Sequence, residues 1–280
     1  MRFLALLLSL LTFAAQPASA GSTPVMWNLE RQLISLVTNK SADVGIAVLD
    51  LKSGNSVDVR GNRRYPMAST VKIAVAAVYL AQVEQGHRTL GDRIAGQSAE
   101  RLLERMIINS DNPATDLLLR DVGGPDAVHT WLQSNGITNI RVDRNIAQLL
   151  RAKRDLWDPR DSTTPLAMVT FLQRLHDGKL LKPNSRDYLL SLMKRCQTGK
   201  NRMRALLPWG TPVEHKTGTL NGLTGDVGFI TMPDGRRLAV AIFARGGADR
   251  PRTIAEAART IYDGVYKWIW SPGVPAFSTN

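Results

Sequence analysis

The chain has 280 residues, 44% of them hydrophobic, and a formal net charge of +12 at pH 7 that is scattered along the sequence. Scattered charge argues against specific nucleic-acid binding, and the lone Cys196 excludes an intramolecular disulfide. No Cys/His spacing indicates a metal site. A basic exterior suits an envelope protein among anionic lipids and wall polymers or a substrate with a carboxylate, and it equally suits solubility alone.

The N-terminus has the order of a secretory signal peptide. Arg2 precedes an apolar run at residues 3–15, and small residues follow at 18–20. This order predicts cleavage after Ala20, and the apolar run is too short to anchor the chain in a bilayer. We therefore expect an exported protein, periplasmic or extracellular, that is monomeric and has no membrane anchor.

The predicted elements place strands towards both ends of the chain and helices in the middle. A first helix begins near Pro24, and residues 44–50 and 56–60 predict a hairpin around a turn at 52–55. Helical patterns then fill residues 69–207. The clearest of these helices span 69–85, 99–108, 125–133, 165–176 and 185–196. Strand character returns at 213–216, 226–232 and 237–245, and a helix at 254–270 closes the chain.

This distribution predicts an α/β fold of the α+β kind. An antiparallel sheet flanked by the terminal helices would be interrupted by an inserted all-α domain. The predicted boundaries are a signal peptide at 1–20, an α/β domain formed by 21–61 and 208–280, and an all-α domain at 62–207. The interface between the two domains is the natural cleft.

Ser69 and Lys72 lie three residues apart where a predicted helix begins, so their side chains share one helix face. A lysine can activate a serine if burial or a second cation lowers the pKa of its amine. The pattern alone is weak, because Ser191 and Lys194 repeat it on another predicted helix. Cys196 ends that helix and is interpreted as a core or surface residue rather than a nucleophile.

Two further polar motifs follow in chain order. Ser110-Asp111-Asn112 precedes Pro113, so helix capping is a sufficient structural explanation for it. Lys216-Thr217-Gly218-Thr219 stands at the end of a predicted strand, where a glycine allows another backbone to approach closely.

Together the three motifs resemble the S-x-x-K, S-D-N and K-T-G set of the penicillin-recognising serine enzymes. Residues 43–50, 64–69, 109–114 and 160–165 also resemble segments of class A β-lactamases. The resemblance covers most of the chain after the signal peptide. It implies a β-lactamase/transpeptidase-like fold and serine hydrolase chemistry that needs no metal or organic cofactor.

The resemblance also implies a role for each motif residue. Ser69 would attack the acyl carbonyl, and Lys72 would take its proton. Ser110 and Lys216 would relay a proton to the departing nitrogen, and the backbone N–H groups of Ser69 and Thr219 would form an oxyanion hole. Asn112 would hold the amide side chain of the substrate, and the K-T-G segment would bind its carboxylate. The residues assigned to substrate binding are Asn112, Thr217, Gly218 and Thr219.

One part of the class A pattern is missing. Class A β-lactamases hydrolyse the acyl-enzyme with a glutamate on the loop after the helical core, assisted by an asparagine that positions the water. Alignment on residues 141–144 places Ile146 and Leu150 at these two positions. Counting back from Arg160 selects Gln148 instead, and no glutamate occurs between Glu104 and Glu214. The aspartates that remain as conceivable substitutes are Asp143, Asp155 and Asp158.

The sequence leaves three functions open. The favoured one is a D,D-peptidase or penicillin-binding protein that acts on peptidoglycan stem peptides and is trapped by β-lactams. The short stretch between Lys72 and Ser110 supports it, because a wider entrance suits a peptide. The second is a β-lactamase with an unusual deacylation route, and the third is a non-catalytic protein that sequesters β-lactams.

Overall fold

The computed structural model describes residues 24–269. The predicted signal peptide at 1–20 lies outside these residues. Across the described chain, no helix combines the length and the apolarity that crossing a membrane requires.

The strands and helices of residues 24–269 have the following bounds. The strands are β1 (Asp43–Asp50), β2 (Ser56–Val59), β3 (Tyr65–Pro66), β4 (Arg93–Ile94), β5 (Gln97–Ser98), β6 (Ser162–Thr163), β7 (Val213–Leu220), β8 (Leu223–Thr231) and β9 (Arg237–Arg245). The α-helices are α1 (Pro24–Thr38), α2 (Lys72–Glu84), α3 (Ala99–Ile108), α4 (Asn112–Asp121), α5 (Gly124–Ser134), α6 (Ile146–Arg151), α7 (Pro165–His176), α8 (Pro183–Lys194) and α9 (Arg250–Ile269). A 3₁₀ helix, Ala68–Val71, leads directly into α2.

Within residues 24–269, one antiparallel sheet joins the two ends of the chain in the order β2-β1-β9-β8-β7. β1 pairs with β9 along its whole length, from Asp43 opposite Arg245 to Asp50 opposite Leu238. β7 occupies one edge of the sheet. The predicted α/β fold with an antiparallel sheet is therefore confirmed.

Apolar side chains cover both faces of this sheet. α1 and α9 pack together against one face and bury Leu33 and Ile261 there. The helices between β2 and β7 form the second apolar cluster on the other face, with α2 at its centre. Every residue of α2 from Lys72 to Ala81 is buried. Because α2 is buried on all sides, its sequence is a nearly continuous apolar run without an exposed polar face.

The structure differs from the sequence expectation in several details. β7 continues to Leu220, because Gly218 and Thr219 extend the strand along β8 instead of ending it. α6 lies in a segment expected to be a loop, and two short strand pairs, β3–β6 and β4–β5, interrupt the stretch expected to be all-helical. Two-residue ladders are too short to leave a periodic signal in a sequence. The division into two domains stays a prediction.

Candidate active site

Ser69 lies in the 3₁₀ helix at the start of α2, and it is partly exposed. The preceding residue, Ala68, has a positive φ of 49°. An alanine adopts this left-handed conformation only at a cost in energy, and such strain is concentrated at functional sites. The serine is thus presented at the N-terminal end of a buried helix.

Lys72 begins α2 and is fully buried, with its amine inside a cage of oxygen acceptors. Nζ donates to the backbone oxygen of Ser110 at 2.7 Å and to Asn112 Oδ1 at 2.8 Å. Burial, with the charge of Lys216 as a second cause, lowers the pKa of Lys72 to about 7. A substantial neutral fraction at neutral pH is what a general base requires.

Ser110 connects this lysine to the sheet. Its Oγ lies 3.2 Å from Lys72 Nζ and 2.9 Å from Lys216 Nζ. Ser110 has a φ of 59°, a left-handed conformation that is uncommon for serine. Burial lowers the pKa of Lys216 to about 8. One hydroxyl therefore bridges two buried amines that come from α2 and β7.

Asp111 and Asn112, beside this serine, have different tasks. Asp111 caps α4, because its carboxylate accepts from the backbone N–H of Ala114 at 2.7 Å. It also pairs with Arg105 at 2.8 Å. The helix-capping role expected for this motif is confirmed for Asp111. The side chain of Asn112 instead accepts a hydrogen bond from Lys72 Nζ.

Gly218 allows β7 to approach the serine. A Cβ at this position would lie 2.6 Å from the backbone oxygen of Met67 and 3.2 Å from Ala68 Cβ. The close backbone approach predicted from the sequence is thereby confirmed. Because β7 is an edge strand, alternate backbone N–H groups point away from β8 towards the 3₁₀ helix.

Arg202 belongs to the same site, and the sequence did not reveal it. Its Nη2 donates to Thr219 Oγ1 at 2.6 Å, and its Nη1 donates to the backbone oxygen of Gly218 at 3.1 Å. A guanidinium thus lies beside the end of the K-T-G segment. No spacing or motif separates Arg202 from the chain's other arginines, so only the folded chain identifies it.

An ion pair closes the loop that follows the helical core. Arg144 Nε donates to Asp161 Oδ2 at 2.5 Å. The other oxygen, Oδ1, accepts from the backbone N–H groups of Asp143 and Arg144. The two ends of the loop are therefore fixed to each other.

Inside this loop, α6 occupies the segment in which a class A enzyme carries its deacylating residues. Ile146 is only 5% exposed and packs into the apolar core, whereas Leu150 is 50% exposed. Gln148, the alternative candidate, accepts from the backbone N–H of Asn145 at 3.0 Å and thereby caps α6. Asp116 on α4 accepts from the backbone N–H of Ile146 at 2.7 Å, which fixes the start of α6.

The three conceivable substitute carboxylates are all engaged elsewhere. Asp143 pairs with Arg141, and Asp155 accepts from a backbone N–H at 2.8 Å. Asp158 binds Arg160 at 2.8 Å, and this contact lowers the pKa of Asp158 to about 2. A carboxylate with so low a pKa is a weak base at neutral pH.

The repeated S-x-x-K pattern has none of this environment. Ser191 is exposed on α8, and its Oγ donates to the backbone oxygen of Tyr188 at 2.7 Å. Cys196 is buried, with Sγ 3.3 Å from Thr198 Oγ1. Among residues 24–269, no group of His, Cys, Asp and Glu side chains is arranged to hold a metal ion.

The sequence and the fold match known proteins. The model of the beta-lactamase enzyme family matches residues 28–265. The extended-spectrum beta-lactamase PER-1 of Pseudomonas aeruginosa is 32% identical over 267 residues, which cover 84% of this chain and 86% of PER-1. The beta-lactamase CTX-M-8 of Citrobacter amalonaticus is 29% identical, and the match covers 91% of this chain and 96% of CTX-M-8.

Solved structures give the same result. A variant of the class A beta-lactamase of the last common ancestor of Gram-negative bacteria superposes with a TM-score of 0.80 and 34% identity, covering 86% of this chain and 98% of its own. The TLA-1 extended-spectrum beta-lactamase also superposes with a TM-score of 0.80, at 28% identity, covering 86% of this chain and 99% of its own.

Proposed function

The chain belongs to the beta-lactamase enzyme family and is a serine hydrolase of class A, and within this family we propose that it is a penicillin-binding D,D-peptidase. Ser69 is acylated by peptidoglycan stem peptides that end in D-Ala-D-Ala and by β-lactams. The peptide adduct is turned over, whereas the β-lactam adduct is released slowly. One observation carries the proposal: the loop closed by Arg144 and Asp161 offers no free base to a hydrolytic water.

Acylation follows from the contacts around Lys72. The neutral amine takes the proton of Ser69 as its oxygen attacks the acyl carbonyl, and a lowered pKa makes that form available. The proton then reaches the departing nitrogen through Ser110, whose Oγ contacts both Lys72 and Lys216. Backbone N–H groups of Ser69 and Thr219 hold the oxyanion across the narrow gap that Gly218 permits.

Substrate recognition rests on the K-T-G segment and its neighbour. Thr217 and Thr219 supply hydroxyls, and Lys216 and Arg202 supply positive charge for the carboxylate that penicillins share with D-Ala-D-Ala peptides. Asn112 holds the amide on the other side of the scissile bond. A guanidinium suits this task because its donors match the geometry of a carboxylate.

Slow release of the β-lactam follows from Ile146 and Leu150. An apolar side chain neither accepts a proton nor orients water, and the absence of a general base costs about 10² to 10⁴ in rate. A peptide substrate avoids part of this barrier, because its D-alanine leaves the site after acylation and admits water or an amine. The leaving nitrogen of a β-lactam stays tethered to the adduct and occupies that space.

A second candidate function is β-lactam hydrolysis. Its support is that the matched relatives are themselves named beta-lactamases, among them the extended-spectrum beta-lactamase PER-1 at 32% identity. This function would need a water activated by a group other than a loop glutamate. Lys72, whose pKa is lowered to about 7, is the base that this route would use.

Intact-mass spectrometry after penicillin addition separates these functions. We expect an adduct that persists for many minutes, together with release of D-alanine from a D-Ala-D-Ala peptide. Rapid return to the free mass would instead establish a β-lactamase. A lasting adduct without D-alanine release would indicate a sequestering protein, and Ser69→Ala serves as the unlabelled control.

Location and organisation complete the proposal. The charged, apolar and small residues of 1–20 support export as a soluble periplasmic or extracellular enzyme. The division into an α/β domain at 21–61 and 208–280 and an inserted domain at 62–207 agrees with the two apolar clusters on the faces of the sheet. We propose a monomer that acts without metal or organic cofactor.

A further inference from the structure

The side of β7 that faces away from Ser110 carries a second polar network, in which His215 and Thr217 are buried. Side chains alternate along a strand, so His215, Thr217 and Thr219 share the face opposite Lys216. His215 and Lys216 are both fully buried, on opposite sides of the strand. The chemistry proposed above gives His215 no role, although it directly precedes the lysine of the site.

One irregular segment, residues 196–204, binds this face at three successive positions. Gly199 brings the segment close, since a Cβ there would lie 2.5 Å from Thr217 Cγ2, and its φ is +70°. The three contacts are Arg204 Nη2 to His215 Nε2 at 2.6 Å, Thr198 Oγ1 to Thr217 Oγ1 at 2.5 Å, and Arg202 Nη2 to Thr219 Oγ1 at 2.6 Å.

Asp226 joins the strand to this segment. It is fully buried on β8, and its Oδ1 accepts from His215 Nδ1 at 2.7 Å. Its Oδ2 accepts from the backbone N–H of Met203 at 3.2 Å. Met203 lies between Arg202 and Arg204 in the chain, so Asp226 fixes the backbone at the point where both arginine side chains begin.

Asp226 also brings negative charge into a positively charged region. Its carboxylate partly offsets the charges of Arg202, Arg204 and Lys216, which lie close together. A guanidinium can only donate, so the 2.6 Å contact from Arg204 requires His215 Nε2 to accept. The contacts therefore describe a neutral ring whose proton is on Nδ1 and is donated to Asp226.

We propose that Asp226 and His215 are positioning residues, which hold Arg202 ready for the carboxylate of the substrate. This inference rests on the proposed function, because it requires that Ser69 be acylated by carboxylate-bearing substrates. An arginine that is already ordered loses little conformational freedom when an anion binds, and this preorganisation favours binding. The network would therefore determine how strongly the enzyme prefers an acid over its neutral ester.

The test compares acylation by a penicillin and by its methyl ester in Asp226→Asn. This substitution keeps the shape of the side chain but removes its charge. We expect acylation by the free acid to slow about tenfold, because charge-assisted hydrogen bonds are lost, and the ester to react at the parental rate. Asp187→Asn, at an exposed position on α8, is the matched control and should change neither rate.

A double-mutant cycle with Arg202→Ala distinguishes positioning from general damage to the fold. If Asp226 acts through Arg202, adding Asp226→Asn to Arg202→Ala should have no further effect on the acid. Multiplicative effects, or equal slowing of acid and ester, would overturn the inference. His215→Asn should reproduce the loss of preference and replaces Asp226→Asn if that variant does not fold. Failure of the parent protein to acylate would refute the proposed function instead.

Discussion

The pH dependence of acylation tests the proposed base most directly. Burial and the charge of Lys216 lower the pKa of Lys72 to about 7, while Asp111 and Asp116 act in the opposite direction. Only the neutral amine can accept the proton of Ser69. By the Henderson–Hasselbalch relation the neutral fraction is about 90% at pH 8 and about 1% at pH 5.

Acylation of the unmodified protein should therefore slow about a hundredfold between pH 8 and pH 5, with an inflection near pH 7. The rate constant is measured by quenched labelling with a fluorescent penicillin from pH 5 to pH 9. Lys72→Ala should be about 10² to 10⁴ slower at pH 8 and should lose the inflection. Lys194→Ala, in the exposed copy of the motif on α8, is the control and should keep the parental profile.

Two results would refute this reasoning. A Lys72→Ala variant that melts normally and acylates at the parental rate would show that Lys72 is not the base. An inflection near pH 8 that survives in this variant would assign the proton transfer to Lys216, whose pKa is lowered to about 8.

Two more predictions concern the nucleophile and the loop. Ser69→Ala should abolish labelling by penicillin while Ser191→Ala keeps it, and an adduct mapped by peptide mass to Ser191 would contradict the assignment. Ile146→Glu combined with Leu150→Asn should speed loss of the penicillin adduct at least tenfold, since a missing general base costs about 10² to 10⁴. The matched control, Ile146→Gln combined with Leu150→Asn, should show no such gain. Turnover of penicillin by the unmodified protein at about 1 to 10³ per second would refute the slow-release proposal.

The fold and the three motifs that supply the site were predictable because each has a local signal in the sequence. The serine motif opens a helix, the aspartate of the second motif precedes a proline, and the glycine of the third stands on a strand. Each of these patterns has a physical cause within a few residues of chain. Their meeting around Ser110 was supplied only by the resemblance to a known family.

Residues that act across the fold left no such signal. Arg202 reaches Thr219 from an irregular segment, and Asp226 reaches Met203 from β8. Contacts between distant parts of the chain depend on backbone paths that no periodicity encodes. α6 is different, because the capping box of Asn145 and Gln148 at its start is a local signal in the sequence, to which Asp116 adds a contact from another helix.

In a class A enzyme, the loop after the helical core combines a fixed shape with a deacylating glutamate. Under the proposed function, this chain keeps the shape without the glutamate. Its anchors are intact, since Arg144 pairs with Asp161 and Asp116 holds the start of α6. One alignment places Ile146, which joins the apolar core, at the position of the deacylating glutamate, and the other places Gln148, which caps α6. Under the proposed function, a loop that keeps this shape without the carboxylate shields the acyl-enzyme from bulk water. That shielding lengthens the life of a β-lactam adduct. In the peptide reaction, the D-alanine that leaves the site vacates space through which water or an amine reaches the acyl-enzyme.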